Sequence, residues 1–86
     1  MKTFNLIVSS PNGDVFNDEV VCISLRGTEG DLAIMAGHIP FVTAVVPGDC
    51  NIELPDGTHK KAKTEGGIIS VTEKSTTLLS GSFKWI

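Results

Sequence analysis

The sequence is poor in aromatic residues, with no tyrosine, one tryptophan and four phenylalanines among 86 residues. Small-molecule pockets are lined largely by apolar and aromatic side chains. The phenylalanines occupy core-like positions, which leaves Trp85 as the one aromatic residue available for such a site. A free-standing ligand-binding or adaptor β-sandwich therefore stays an alternative with little in the sequence to support it.

Basic residues are also scarce, because seven Lys and Arg stand against ten Asp and Glu and the formal net charge is −3. Binding to DNA or RNA draws most of its affinity from clustered Lys and Arg. The one basic cluster, Lys60, Lys61 and Lys63, is typical of a solvated hairpin. No nucleic-acid partner is predicted.

Long hydrophobic runs are missing as well. No stretch approaches the roughly 18 consecutive apolar residues of a membrane-spanning helix. The start of the chain, Met1 to Phe4, lacks the charged and apolar regions of a signal peptide. We expect no direct insertion into a membrane, so that any membrane association requires a partner. Apolar residues make up 41% of the chain, enough for one core, and we expect one domain over residues 1–86.

Residue patterns for catalysis are absent from the sequence. There is no Gly-x-Ser-x-Gly motif, no cluster of metal ligands at the usual spacing and no phosphate-binding loop. Cys22 and Cys50 are expected to be reduced, and Cys22, inside an apolar run, is expected to be buried. No catalytic residue, cofactor or metal ligand is predicted. A thiol or metal enzyme, the third hypothesis, would require a reactive Cys22 or Cys50.

The sequence does contain many short β-branched segments separated by glycine and proline. Apolar residues alternate with polar ones from Phe4 to Val8, which predicts a strand with one buried face. No helical period extends beyond two turns. The pattern predicts an all-β fold, either a β-sandwich or a flattened barrel of two packed, mainly antiparallel sheets.

Three finer expectations follow from this pattern. Asn17-Asp18 is predicted to break the chain between a short extended piece at 14–16 and a strand at 19–26. The polar segment 58–64 is typical of an edge strand, where lysines discourage pairing with other chains. Trp85 is expected to cover one end of the core.

The centre of the sequence is the stretch GTEGDLAIMAGHIPFVTAVVPG at 27–48. Gly27 and Gly30 bracket a tight turn, because glycine adopts positive φ without steric cost. Pro40 drives Ile39 towards an extended conformation. The stretch therefore predicts two strands joined by a stiff loop that carries His38. That histidine is either a half-buried loop residue bonded to a neighbouring carbonyl or a contact in an interface.

The same stretch resembles a signature of the epsilon subunit of the proton-translocating ATP synthase, in which glycine, an acid and leucine precede Gly-His-x-Pro and Thr-x-x-x-Pro-Gly. The resemblance continues in register through residues 4–10 and 66–79, as the amino-terminal β-sandwich domain of that family. It implies a non-catalytic central-stalk subunit that couples the gamma shaft to the membrane c-ring during ATP synthesis and proton transport. It also implies a monomer when isolated, placed at the cytoplasmic face of the energy-transducing membrane.

Site residues are implied by matching position within the family. Those expected on the c-ring side are Glu29, Gly30 and Asp31, and those expected on the gamma side are Ser10, His38 and Thr43. Ala33 and Ala36 stand where the family commonly has glycine and proline, so the loop before Gly37 is expected to differ. Family members usually continue beyond the position of Ile86 into a helical hairpin that carries inhibition of ATP hydrolysis. That activity is not assigned to this chain.

Overall fold

In a computed structural model, which describes residues 2–37 and 39–86, the chain folds into ten β-strands joined by turns. The strands are β1 (Phe4–Ser10), β2 (Gly13–Val20), β3 (Cys22–Gly27), β4 (Gly30–Met35), β5 (Phe41–Val45), β6 (Gly48–Glu53), β7 (His59–Thr64), β8 (Gly67–Val71), β9 (Ser75–Ser80) and β10 (Phe83–Trp85). The described residues contain no helix, and so none that could cross a membrane. The expected all-β class is confirmed.

The strands form one continuous ladder that folds into two layers. The first layer has the order β4-β3-β6-β7-β10 and the second the order β5-β8-β9-β1-β2. The layers join where the end of β3 meets the end of β5, with Gly27 opposite Val45. All neighbouring pairs are antiparallel except β1 and β9. The predicted sandwich of mainly antiparallel sheets is therefore confirmed.

The core lies between the two layers and is built by strict alternation along the strands. Alternate residues of β1, β3, β6 and β9 are buried, except Ser10 and Gly48 at strand ends, because successive side chains in a strand point to opposite faces. Trp85 packs edge-on against Phe83 at 5.1 Å and against Phe16 at 5.7 Å between ring centroids. It thus covers the core along the side where the edge strands β10 and β2 meet.

The expected break at Asn17-Asp18 is wrong, because β2 runs unbroken from Gly13 to Val20. Asn17 pairs with Ile7 and Asp18 with Leu6 of β1. Asn and Asp favour turns through local hydrogen bonds, but here the ladder with β1 prevails, and both residues are exposed because β2 is an edge strand. The chain bends instead at Val21, whose N–H donates to the Glu53 carbonyl at 2.8 Å.

Two other expectations are corrected by the pairing. β7 is not an edge strand, because it pairs with β6 on one side and with β10 on the other. Cys22 is only partly buried, whereas Cys50 is buried. Cys22 lies opposite Met35 and Glu53 and therefore faces outwards with them. The position of β7 could not be read from local alternation, because it depends on which distant strands become its neighbours, whereas the outward side of Cys22 follows the alternation of β3.

The two layers are locked together at one end by a buried hydrogen-bond chain. Thr64 Oγ1 and Ser80 Oγ are 2.7 Å apart, although β7 and β9 belong to different layers. The Ser80 hydroxyl donates to the Ser82 carbonyl at 2.8 Å, so the shared proton comes from Thr64. The Gly66 N–H then donates to Thr64 Oγ1 at 3.1 Å. These bonds make this end of the sandwich stiff.

Candidate partner-binding surfaces

Several of the predicted site residues lie at one end of the sandwich. We call it the hairpin end and define it as the end from which the turns at 10–13 and 28–31 project, together with the strand ends beside them. The pairs Gly27–Val45, Val45–Gly67 and Gly67–Ser80 run across both layers at one level. Ser10 follows at that level, because β1 runs parallel beside β9. The β3–β4 turn and the β1–β2 turn therefore project from the same end.

The β3–β4 turn presents two acidic residues to solvent. Glu29 and Gly30 are exposed, and Gly30 has a φ of 126°, which explains the glycine at the exit of the turn. Asp31 Oδ1 lies 3.2 Å from Arg26 Nε in an ion pair whose side chains are 63% (Arg26) and 81% (Asp31) exposed. Such exposed pairs contribute about 0–1 kcal/mol. Asp31 can therefore exchange this partner for another cation at little cost.

Ser10 closes the β1–β2 turn. Its hydroxyl donates to the Gly13 carbonyl at 3.1 Å and accepts from the Asn12 N–H at 3.3 Å. Ser10 also borders a shallow depression that it shares with Leu79 and Gly81. The side chain therefore holds the turn and lies at the rim of the second layer.

Thr43 lies in the middle of β5 and is half-buried. It is opposite Ile69, which is fully buried, so its side chain lies on the core-facing side of the second layer. The residues of β5 that face outwards are its neighbours Val42 and Ala44. His38 lies outside the described residues, and its two interpretations stay open.

An apolar surface on the second layer was missed by the sequence analysis. Val42 is 67% exposed, Ile68 49% and Leu79 53%. Ile68 lies between Ala44 of β5 and Leu79 of β9, so the side chains adjoin. We call Val42, Ala44, Ile68 and Leu79 the apolar face. Contiguous exposed apolar surface commonly marks a protein-binding site.

The sequence held a signal for the apolar face in two apolar doublets, Ile68-Ile69 and Leu78-Leu79. Neighbouring residues in a strand point to opposite faces, so one member of each doublet has to face outwards. Ile69 and Leu78 are fully buried and Ile68 and Leu79 are exposed. Alternation with Ser70 and Val71 places Ile68 on the outer face, whereas for Leu78 and Leu79 the choice required the pairing of β9 with β8 and β1.

The first layer carries a groove on its outer surface with a volume of about 510 Å³. It opens where β6 parts from β3, since β3 pairs with β6 at residues 22–24 and with β5 at Gly27. Arg26 and Lys61 balance Asp31 and Asp49 in its lining, which includes no aromatic residue. This lining offers little to a ligand-binding function.

The described part of the chain also holds no group of three or more His, Cys, Asp or Glu residues that could bind a metal ion. Burial raises the pKa of the Cys50 thiol to about 12. A buried thiol that keeps its proton is a poor nucleophile. The pKa of the buried Cys50 thiol therefore gives no support to the hypothesis of a thiol enzyme that uses this residue.

Comparison with known proteins identifies the family of the chain. Residues 3–86 match the sequence profile of the family described as "ATP synthase, Delta/Epsilon chain, beta-sandwich domain". The chain belongs to this family. The resemblance seen in residues 27–48 is thereby confirmed over nearly the whole sequence.

Individual relatives in the family are similar over most of this chain. The sodium-ion-specific ATP synthase epsilon chain of Acetobacterium woodii is 36% identical over 84 residues, which cover 98% of this chain and 63% of that protein. The epsilon chain of Afipia carboxidovorans is 38% identical over 80 residues, covering 93% and 58%. The chain thus spans about three-fifths of the length of these relatives.

Solved structures share the fold of this delta/epsilon-type domain. A chain in the Euglena gracilis mitochondrial ATP synthase (OSCP/F1/c-ring) superposes with a TM-score of 0.91 at 20% identity, covering 96% of this chain and 53% of that chain. A chain in the Tetrahymena thermophila mitochondrial ATP synthase (central stalk/c-ring) superposes with a TM-score of 0.81 at 14% identity, covering 95% and 66%. At these identities the likeness shows a common fold.

Proposed function

We propose that this chain is a non-catalytic subunit of the ATP synthase rotor, which couples the gamma shaft to the membrane c-ring during ATP synthesis and proton transport. The observation that carries the proposal is the family match over residues 3–86 in a domain that exposes two separate binding surfaces. One surface is the apolar face and the other is the acidic turn of the hairpin end. The names of the relatives and the assemblies that contain the similar folds support the same role.

The apolar face is the surface we assign to gamma. Its exposed Val42, Ile68 and Leu79 would supply the desolvated centre that stable interfaces require. Ser10 lies at the rim of the same layer, and we assign it to the gamma side as well. Thr43 would contribute to the gamma side through its backbone in β5, because its side chain lies on the core-facing side. His38 remains in the gamma-side set as an expectation from the family pattern.

The acidic turn is the surface we assign to the c-ring. Glu29 and Asp31 would form charge-assisted hydrogen bonds with Arg or Lys in the polar loops of the ring. Gly30 between them leaves space for a close backbone approach, since a Cβ atom there would meet nothing within 4 Å. These contacts would fix the orientation of the domain on the ring.

A rotor coupling has to transmit torque without shearing, and the sandwich is suited to this task. A close-packed interior has low compressibility and transmits strain. The buried chain of Thr64, Ser80 and Ser82 ties the two layers together at the hairpin end, where the load would enter. The domain would stay at the cytoplasmic face of the membrane through its partners and without inserting.

Pull-down with the gamma subunit tests the proposal directly. The folded chain is expected to bind gamma at micromolar concentration, and the complex is expected to retain isolated c-ring. The circular dichroism spectrum of the same sample establishes that the chain is folded. Failure of the folded chain to bind gamma at that concentration would contradict the assignment to the stalk.

A further inference from the structure

The outer edge of β4 carries backbone groups that no other described strand uses. β4 pairs with β3 alone among the strands of residues 2–37 and 39–86. Opposed residues of an antiparallel pair alternate between hydrogen-bonded and non-hydrogen-bonded pairs. The position of the bonds in β3 therefore shows which groups of β4 point away from it.

One hydrogen bond in β3 fixes this pattern. The Arg26 carbonyl accepts from the Val46 N–H at 3.0 Å and so points away from β4. Arg26 and its opposite residue Asp31 are then a non-hydrogen-bonded pair. Two residues further on, Ser24 and Ala33 are the next such pair. The N–H and C=O groups of Asp31 and Ala33 therefore point to the outer edge.

Beyond Asp31, the β4 edge lacks the features by which proteins usually prevent edge pairing. Edge strands are commonly protected by charged side chains, by bulges or by being very short. β2 carries three exposed acids, Asp14, Asp18 and Glu19, and its pairing with β1 contains a bulge. β10 has only three residues and carries Lys84. In β4 the segment 32–35 has no charge, and Met35 is 57% exposed.

We propose that the free edge of β4 binds an extended segment of another protein, which adds as a further strand beside Asp31 and Ala33 and places a Lys or Arg next to Glu29 and Asp31. Two donors and two acceptors at the repeat of a β-strand match an extended peptide backbone. The exposed acids at the start of β4 call for a cation on the added segment.

A second copy of this chain is a poorer match for the same edge. In an antiparallel pair of two β4 strands centred on Ala33, Asp31 of each copy would lie opposite Met35 of the other. Neither acid would then meet a cation. Charge complementarity therefore favours a different protein with a basic residue.

A pair of synthetic peptides tests the proposal on the isolated chain. One peptide alternates threonine and valine, has capped ends and carries a lysine at one end. The matched peptide carries glutamate in place of that lysine. We expect the lysine peptide to shift the amide resonances of Asp31 and Ala33 saturably and to slow their hydrogen exchange, and the glutamate peptide to bind about tenfold more weakly.

Two variants separate the backbone contact from the side chain. Ala33→Pro removes the outward N–H of β4 while leaving the β3–β4 ladder intact, because edge strands tolerate proline at such positions. It is expected to weaken binding of the lysine peptide by about tenfold, from the lost hydrogen bond and the unpaired peptide carbonyl. Ala33→Val keeps the N–H and is expected to bind as the unmodified chain does.

Several outcomes would overturn the proposal. These are slowed exchange in β2 or β10 instead of β4, equal binding of the two peptides, or full binding by Ala33→Pro. Protection of Asp31 and Ala33 that depends on protein concentration without peptide would identify a second copy as the occupant. If Ala33→Pro does not fold, the exchange data on the unmodified chain and on Ala33→Val decide. The experiment contains neither gamma nor the ring, so its failure leaves the stalk proposal untouched.

Discussion

Single residues of this domain carry constraints that the surrounding strands impose. At Gly67 a Cβ atom would lie 1.9 Å from the Leu79 carbonyl oxygen, and at Gly66 a Cβ would lie 2.6 Å from the Val45 carbonyl oxygen. The φ angles of both residues are positive, at 154° and 99°. Side chains are excluded here on two grounds, contact and backbone conformation. The glycine pair lets β8 approach its neighbours at the hairpin end.

Cys50 is expected to make the free energy of unfolding depend on alkaline pH. The folded thiol keeps its proton up to a pKa of about 12, whereas the unfolded thiol loses it near 9.0. Between these values the unfolded state binds fewer protons, so stability falls as pH rises, by about 1.4 kcal/mol per pH unit. Urea unfolding from pH 8 to 11 measures this slope.

The variant Cys50→Ala provides the control, because it should lose this part of the slope. At pH 8 the Cys50 thiol of the folded chain is expected to resist iodoacetamide and to react after unfolding. Partly exposed Cys22 serves as the internal comparison. Alkylation of Cys50 in the folded chain at the rate found in urea would contradict the prediction.

At the scale of elements, the strands are joined by contacts that cross between layers as well as by ladders. The hydroxyl groups of Thr64 and Ser80 connect β7 of the first layer with β9 of the second layer. Buried hydroxyls of this kind are stabilising only while every member finds a partner. The chain of bonds therefore makes the hairpin end sensitive to small substitutions.

Thr64→Val is expected to lower the free energy of unfolding by about 1–3 kcal/mol, since it leaves the buried Gly66 N–H without its acceptor. The shape of the side chain is unchanged, so the effect reports the hydrogen bonds. Thr77→Val in β9, which lies on the outer side of the layer, is the matched control and should change stability by under about 0.5 kcal/mol. Denaturant titration measures both, and equal effects would show that the hydroxyl chain contributes nothing.

The acidic turn between β3 and β4 carries the next prediction. Asp31→Lys is expected to weaken association with the c-ring by about tenfold or more. The free energy of unfolding should change by less than about 1 kcal/mol, because the ion pair with Arg26 is exposed. Ring binding is measured by co-sedimentation with c-ring reconstituted in vesicles.

Glu73→Lys is the control for this charge reversal. It makes the same change in the exposed β8–β9 turn, which lies at the opposite end of the sandwich from the hairpin end. We expect it to leave ring binding unchanged. Unchanged co-sedimentation of the Asp31→Lys variant with the c-ring would show that the turn is not part of the interface.

For the whole molecule, the arrangement of the two layers decides which surfaces are presented to partners. The core takes one side of every strand, and the outer sides differ in character. The first layer is polar outside, with Arg26, Asp49 and Lys61 around its groove. The second layer carries the apolar face. The outer side of the second layer is therefore more apolar than the area around the groove of the first layer.

Ile68→Asp is expected to weaken gamma binding by about 2 kcal/mol or more, roughly thirtyfold, because it places a charge in the centre of the apolar face. Folding should be little affected, since Ile68 is 49% exposed. Val15→Asp introduces the same charge at an exposed valine of β2, which β1 separates from the strands of the apolar face, and it should bind gamma normally. Titration calorimetry measures both variants. Normal gamma binding by the Ile68 variant would remove the apolar face from the interface.

The all-β class and most strand positions could be predicted from local patterns. Alternation from Phe4 to Val8 places Leu6 in the core with no knowledge of its neighbours, because successive side chains of a strand point to opposite faces and here one face is apolar. The turn between Gly27 and Gly30 was likewise predicted from its glycines, of which Gly30 adopts a positive φ and Gly27 does not. The acidic character of that turn could be read directly from Glu29 and Asp31.

Features that depend on pairing between distant strands were decided by the tertiary structure alone. Asn17 and Asp18 favour a turn by themselves but extend because β1 offers a ladder. Leu78 and Leu79 are the same residue type, and only the packing of β9 between β8 and β1 decides which of them faces solvent. Local sequence determines the periodicity of a strand, whereas its neighbours determine whether it is an edge and which surface it exposes.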